Sequence, residues 1–185
     1  MQNMKTLVNT TLCYIEKDGC YLMLHRTKKE HDYNKDKWIG IGGKFENGES
    51  PEDCAVREVR EETGLEIMPA DLEYCGIVTF VQNAHRQVMP DCTPSAVDST
   101  GIYTEFMHIF RARKFSGVLK TDCDEGELEW VPLTKLKELP HWQADEIFYD
   151  FLEENHPFYS LKAVYKNNKL IETYLNGAPY NHFGN

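Results

Sequence analysis

The sequence predicts a single α/β domain, a sandwich of helices around a mixed central sheet. Three observations carry this. The chain has 185 residues, 41% hydrophobic and 27% charged, the balance of a domain with one substantial core and not of a disordered or disulfide-scaffolded chain. Strand-like segments stand before and after one sharply bounded helix, mostly as hairpins, which favours mixed strand directions over a doubly wound parallel sheet. No repeat, low-complexity tract or linker divides the chain, so residues 1–185 are expected to form one domain.

The elements follow in order. Lys5–Glu16 and Cys20–Thr27 read as strands joined at Asp18-Gly19, a dipeptide suited to a tight hairpin turn. A basic loop, Lys28–Lys37, leads into the glycine-rich stretch Trp38–Lys44. Ser50-Pro51-Glu52-Asp53 is a helix start, with serine as cap, proline at the first position and acids in the first turn. Gly64 is the matching stop, so the helix is expected over Pro51–Thr63. Strands are expected over Leu72–Gln82 and Tyr103–Ala112, separated by a long loop, Asn83–Gly101. Loops of that length are usually functional or mobile insertions. Glu127–Pro132 reads as a short strand and Gln143–Glu154 as a second helix. Phe158–Tyr165 and Lys169–Leu175 make a closing hairpin, turned at Asn167-Asn168.

Charge narrows the partners. Lys plus Arg give 20 and Asp plus Glu 30, a net −10, which repels a phosphate backbone and argues against nucleic acid as a partner. A phosphorylated small molecule remains accessible if a divalent cation bridges it to the acidic surface. No apolar run reaches the ~20 residues that span a bilayer, and the start of the chain lacks a secretory signal, so a cytoplasmic protein without a membrane partner is expected. The six cysteines show no C-x-x-C pair, which suits reduced thiols.

The helix itself is unusual. At about 100° per residue, Glu58, Glu61 and Glu62 fall on one face, where like charges oppose helix formation. Glu61 and Glu62 also stand in the last turn, where the helix dipole favours cations. Val56 and Val59 keep an apolar stripe for packing. A compensating cation would explain the cluster, and Mg2+, a hard ion held by a few carboxylates and by substrate phosphates, has the right chemistry.

Gly43 to Leu65 reads G-x5-E-x7-R-E-U-x-E-E-x-G-U, where U is a bulky aliphatic residue, here Val59 and Leu65. This is the Nudix box, and the chain resembles the Nudix hydrolases, which split nucleoside diphosphates linked to another group. The resemblance implies an α/β/α sandwich whose loop–helix–loop holds Mg2+ or Mn2+. It makes Glu58, Glu61 and Glu62 metal ligands, joined by the Gly42 carbonyl. Arg57 would orient the carboxylates through a salt bridge with Glu49, and Glu58 or Glu61 would serve as general base. A further carboxylate from outside the box is expected in Asp122–Glu127, with Glu125 favoured and Asp124 next.

Trp38-Ile39-Gly40-Ile41-Gly42-Gly43-Lys44 resembles the entrance to the box in the MutT-like branch, whose members include 8-oxo-dGTP diphosphatases. Lys44 would then reach phosphate, as would Arg26 at the end of the second strand. Glu129–Leu133 followed by His141–Asp145 is similar to the region that supplies the purine pocket in that branch. Trp142 would stack on the base and Asp145 would read its edge. Two polar readers of that branch are absent, their places taken by Ile39 and Ala144. Tyr14, His25 and Phe80 are further candidates for the pocket wall.

The resemblance implies hydrolysis of a nucleoside triphosphate to monophosphate and pyrophosphate, with 8-oxo-dGTP or a related oxidised purine nucleotide as substrate and nucleotide-pool sanitation, a branch of DNA repair, as the role. ADP-ribose or a dinucleoside polyphosphate is the alternative. A non-catalytic nucleotide sensor is the remote one, because the box is intact.

Overall fold

The computed structural model describes residues 7–83, 97 and 100–184. Strand β1 (Val8–Lys17) turns into β2 (Cys20–His25), followed by β3 (Trp38–Ile39), helix α1 (Pro51–Thr63) and β4 (Leu65–Glu66). The long strands β5 (Leu72–Asn83) and β6 (Ile102–Ala112) come next, then β7 (Ser116–Gly117) and β8 (Glu127–Pro132). Helix α2 (Asp145–Glu153) precedes the last strands, β9 (Tyr159–Lys166), β10 (Lys169–Leu175) and β11 (Ala178–Pro179). Asp18 and Gly19 both have positive φ, 51° and 73°, as do Asn167 and Asn168 at 51° and 63°. These are the turn residues expected where two strands reverse tightly.

The main sheet runs β11-β10-β9-β5-β6-β1-β2-β3, with β8 on the other edge of β2. Pairs β1·β6 and β5·β9 are parallel and the remaining pairs antiparallel, so the sheet is mixed. Alternation sorts its side chains onto two faces. Tyr14, Tyr21, Met23, Val78 and Ile109 pack with Ile147, Phe148 and Leu152 of α2. Cys13, Ile15, Leu22, Leu24 and Phe110 pack with Ala55 and Val59 of α1. The result is the α/β/α sandwich expected.

One irregularity positions the site. β1 pairs with β2 only at its far end, Ile15–Lys17. Nearer its start it bonds instead to the chain after β3: Cys13 and Ile41 exchange amide bonds at 2.6 and 3.1 Å, and the Thr11 amide donates to the Gly43 carbonyl at 2.9 Å. The glycine loop is thus tied into the sheet by main-chain bonds.

Helix α1 spans the residues expected. The Ser50 hydroxyl accepts from the Asp53 amide at 3.1 Å and the Asp53 carboxylate from the Ser50 amide at 3.0 Å, a reciprocal cap. At the other end Gly64 adopts φ 75° and closes onto the Arg60 carbonyl. The Lys120 ammonium donates to the Glu61 carbonyl at 2.8 Å, placing a cation where the dipole asks for one.

Several boundaries differ from expectation. The second strand ends at His25, short of Thr27, because Arg26 turns its backbone to Asp36 and Lys37. Helix α2 starts at Asp145 and not Gln143, because the Asp145 carboxylate reaches back to the Trp142 amide and holds a turn there. The closing hairpin begins at Tyr159 instead of Phe158. The two-residue strands β3, β4, β7 and β11 were not foreseen, being too short to show a period. Lys5 and most of the Asn83–Gly101 loop lie outside the described residues.

Candidate active site

The site begins with two glycines that carry no side chain for steric reasons. A Cβ on Gly42 would stand 2.0 Å from the Thr11 carbonyl oxygen, and one on Gly43 would stand 2.5 Å from Oε1 of Glu58. Backbone crowds the loop on one side and a carboxylate on the other. The Gly42 amide donates to Oε2 of Glu62 at 3.2 Å. One turn of α1 separates Glu58 from Glu62, so both carboxylates meet the loop.

Arg57 organises the acids around them. Its Nε and Nη2 donate to the two oxygens of Glu49 at 2.6 and 3.0 Å, and its Nη1 to Glu58 at 2.8 Å and Glu61 at 3.2 Å. Nη2 also donates to the Lys44 carbonyl at 3.0 Å, joining helix to loop. These bonds draw the Glu49 pKa down to about 2, chiefly through the guanidinium. Burial raises Glu58, against the pull of Arg57. Glu62 is pushed up to about 7, first by burial and then by the Glu58 charge, while the Gly42 amide and more distant Arg26 and Lys29 pull it back.

Two poorly hydrated carboxylates one helical turn apart are hard oxygen donors, which fit a hard divalent cation. Of the expected ligand set, Glu58 and Glu62 both meet the glycine loop, where the Gly42 amide, not its carbonyl, bonds to Glu62. Glu61 is more exposed and turned to Arg57. Glu125 lines the same cavity, but its carboxylate is engaged by Arg26 and Lys29. Among the described residues, no three side chains of metal-binding type are already gathered for a metal. Arg26, expected to reach phosphate, is nearly buried between Asp32, at 2.6 Å, and Glu125.

The acids open into a cavity of about 670 Å3 whose lining also includes Lys44, Phe80, Glu105, Trp142, Ala144 and Asp145. Trp142 is largely buried. Its indole stacks on Tyr33 with centroids 4.7 Å apart, meets Phe80 edge-on at 5.7 Å and lies 4.3 Å below the Lys37 ammonium. Its Nε1–H donates to Oδ1 of Asn34 at 2.8 Å. Burial pushes the Asp145 carboxyl up to about 8, although the Trp142 amide and Lys37 favour its charged form. Ile39 and Ala144 line the cavity as apolar wall.

Of the further wall candidates, Phe80 is in place. Tyr14 is instead buried against Tyr21, Phe148 and Tyr149, and His25 stacks on Trp38 at 4.5 Å. The sequence reading missed Tyr33, Thr10, Tyr103 and Glu105, all cavity-lining. For Glu105 a signal existed: in Tyr103, Glu105, Met107, Ile109, one face of a strand, it is the charged member of an otherwise mainly apolar set.

The family to which this fold belongs is shown directly. The NUDIX domain pattern matches residues 6–152, and the chain belongs to the Nudix hydrolase family. Members act on small molecules and generally use divalent metals such as Mg2+. Among its relatives is the uncharacterized Nudix hydrolase YvcI of Bacillus subtilis, 29% identical over 150 residues, 80% of this chain and 81% of that one. The oxidized purine nucleoside triphosphate hydrolase of Danio rerio is 26% identical over 130 residues, 70% of this chain and 71% of that one. The crystal structure of a mutator MutT protein from Bacillus halodurans shares the fold, with a TM-score of 0.72 and 24% identity, covering 93% of this chain and 99% of that one. Among the described residues, no helix is long and apolar enough to cross a membrane.

Proposed function

We propose that this Nudix hydrolase converts a purine nucleoside triphosphate into the monophosphate and pyrophosphate, with 8-oxo-dGTP as its preferred substrate. The observation that carries the reading is one cavity shared by the Glu58–Glu62 pair and the aromatic wall of Trp142, Tyr33 and Phe80. Triphosphate and base thus have adjoining places. The Danio rerio relative, by its name, acts on oxidized purine nucleoside triphosphates, which agrees in kind.

In the reaction a water oxygen bonds to phosphorus and the bond across the α–β bridge breaks. Bound Mg2+, or Mn2+, supplies neutralisation of the phosphates and activation of water. Glu58, Glu61 and Glu62 with the Gly42 carbonyl would hold it. Arg57 and Glu49 position these acids, and Glu58 or Glu61 accepts the water proton. Lys44, exposed at the cavity, reaches phosphate as a mobile charge. Arg26 holds Glu125 and shares the phosphate end. Trp142 walls the base and Asp145 faces its polar edge.

A turnover panel with 8-oxo-dGTP, dGTP, ADP-ribose and diadenosine tetraphosphate, with and without Mg2+, tests the reading. The expected result is Mg2+-dependent pyrophosphate release with kcat/KM for 8-oxo-dGTP at least about tenfold above dGTP. Preference for ADP-ribose, with AMP and ribose 5-phosphate as products, sinks it.

A further inference from the structure

Glu105 has no part in the reaction as proposed, yet it occupies the floor of the cavity. Ala163 of β9 pairs with Phe80 of β5, Phe80 with Glu105 of β6, and Glu105 with Val8 of β1. Residues in register share a face, so these four form one row across the sheet, and all four line the cavity. Three are apolar. The neighbouring row on that face, Val78, Met107 and Thr10, is mainly apolar too.

A carboxylate in such a floor is more costly to bury than the apolar side chains beside it. The fold also aims it. The Thr10 hydroxyl donates to Oε1 of Glu105 at 2.6 Å and the Tyr103 hydroxyl to Oε2 at 2.8 Å. Each oxygen is held by its own donor, and both donors line the cavity. A carboxylate has about four acceptor sites, and these two hydroxyls take one on each oxygen.

We propose that Glu105 is a specificity-determining residue whose carboxylate accepts a hydrogen bond from a ring N–H of the purine, selecting a base that carries a donor where unmodified guanine carries a lone pair. The proposal rests on the purine triphosphate reading and adds the means of discrimination. Oxidation at C8 turns N7 from an acceptor into an N–H donor. Guanine would face the same carboxylate with its N7 lone pair, acceptor against acceptor. A site that leaves a buried polar group unmatched rejects the wrong base far more strongly than a difference in shape does. Asp145 stands on another element, the start of α2, and is left for a different edge of the base.

The test measures binding of the product-like nucleotides 8-oxo-dGMP and dGMP to the full chain by calorimetry. It uses the wild type, Glu105→Gln, which can donate to N7, and Tyr103→Phe, which removes one aiming hydroxyl. The wild type should prefer 8-oxo-dGMP, Glu105→Gln should lose that preference by at least about tenfold, and Tyr103→Phe by about threefold. A folded Glu105→Gln protein with the full preference overturns the proposal. Should that variant not fold, an unchanged preference in Tyr103→Phe does so. A wild type with no preference overturns it as well, whatever the turnover panel shows. Preferential binding lost in Glu105→Gln, without pyrophosphate release from the triphosphate, sinks the hydrolytic reading alone and leaves this one standing.

Discussion

Asp145 and Trp142 close a small ring on each other. The Asp145 carboxylate accepts the Trp142 amide at 3.1 Å, while the Asp145 amide donates to the Trp142 carbonyl at 2.8 Å. The ring draws an acid inward at the head of α2, where Lys37 is its cationic neighbour and Glu146, Tyr14, Tyr149 and Tyr165 its other titratable ones.

That placement has a pH signature. The Asp145 pKa rises from 3.8 to about 8 on folding, mainly through burial. Between those values the folded protein holds a proton that the unfolded chain has released, so stability falls as pH rises through the window. Asp145→Asn keeps an acceptor for the Trp142 amide and removes the titration. Thermal unfolding should show the variant more stable than wild type by several degrees at about pH 8, the gap closing toward about pH 4. A gap that does not change with pH would show that Asp145 is not protonated in the folded state.

The two glycines of the loop should fail differently. Alanine at Gly42 meets backbone, the Thr11 carbonyl at 2.0 Å, and cannot be relieved without parting β1 from the loop. Alanine at Gly43 meets the end of the Glu58 side chain, which can swing away. Gly42→Ala is expected to lose several kcal/mol of stability or fail to fold. Gly43→Ala should fold with a melting temperature near that of wild type and lose turnover by about a hundredfold. Equal stability of the two variants would contradict the backbone clash.

Arg57 holds three carboxylates at once, so its loss should show in metal use. Arg57→Ala frees Glu49, Glu58 and Glu61, and kcat is expected to drop by about a hundredfold while the Mg2+ concentration for half-maximal rate rises. Arg57→Lys keeps the charge but cannot span both oxygens of Glu49, so it should recover only part of the rate. Wild-type rates and Mg2+ dependence in Arg57→Lys would show that the two-pronged geometry is dispensable.

Helix α1 was legible to the residue because its signals are local: Ser50, Pro51 and Gly64 act within one turn of the backbone they terminate. The acid cluster was legible for the same reason, being a spacing on one helix. Trp142 and Asp145 were reachable through resemblance, but the stack of Tyr33 on Trp142 joins residues far apart in the chain and has no sequence period. Glu125 was picked for its place before β8, yet its engagement by Arg26 and Lys29 depends on β8 lying against β2. The row Ala163, Phe80, Glu105, Val8 needs four strands in register, and register between distant strands is a property of the folded sheet.

The bonding of the glycine loop to β1 separates what this protein must keep from what it is free to alter. Its acid-bearing end hangs on backbone amide groups, which every residue except proline possesses. Its floor consists of side chains on strands whose main chain is already paired. Under the proposed function, a descendant of this sequence could therefore change its diet one residue at a time, at Val8, Phe80, Glu105 or Ala163, while the acid cluster stays mounted as before.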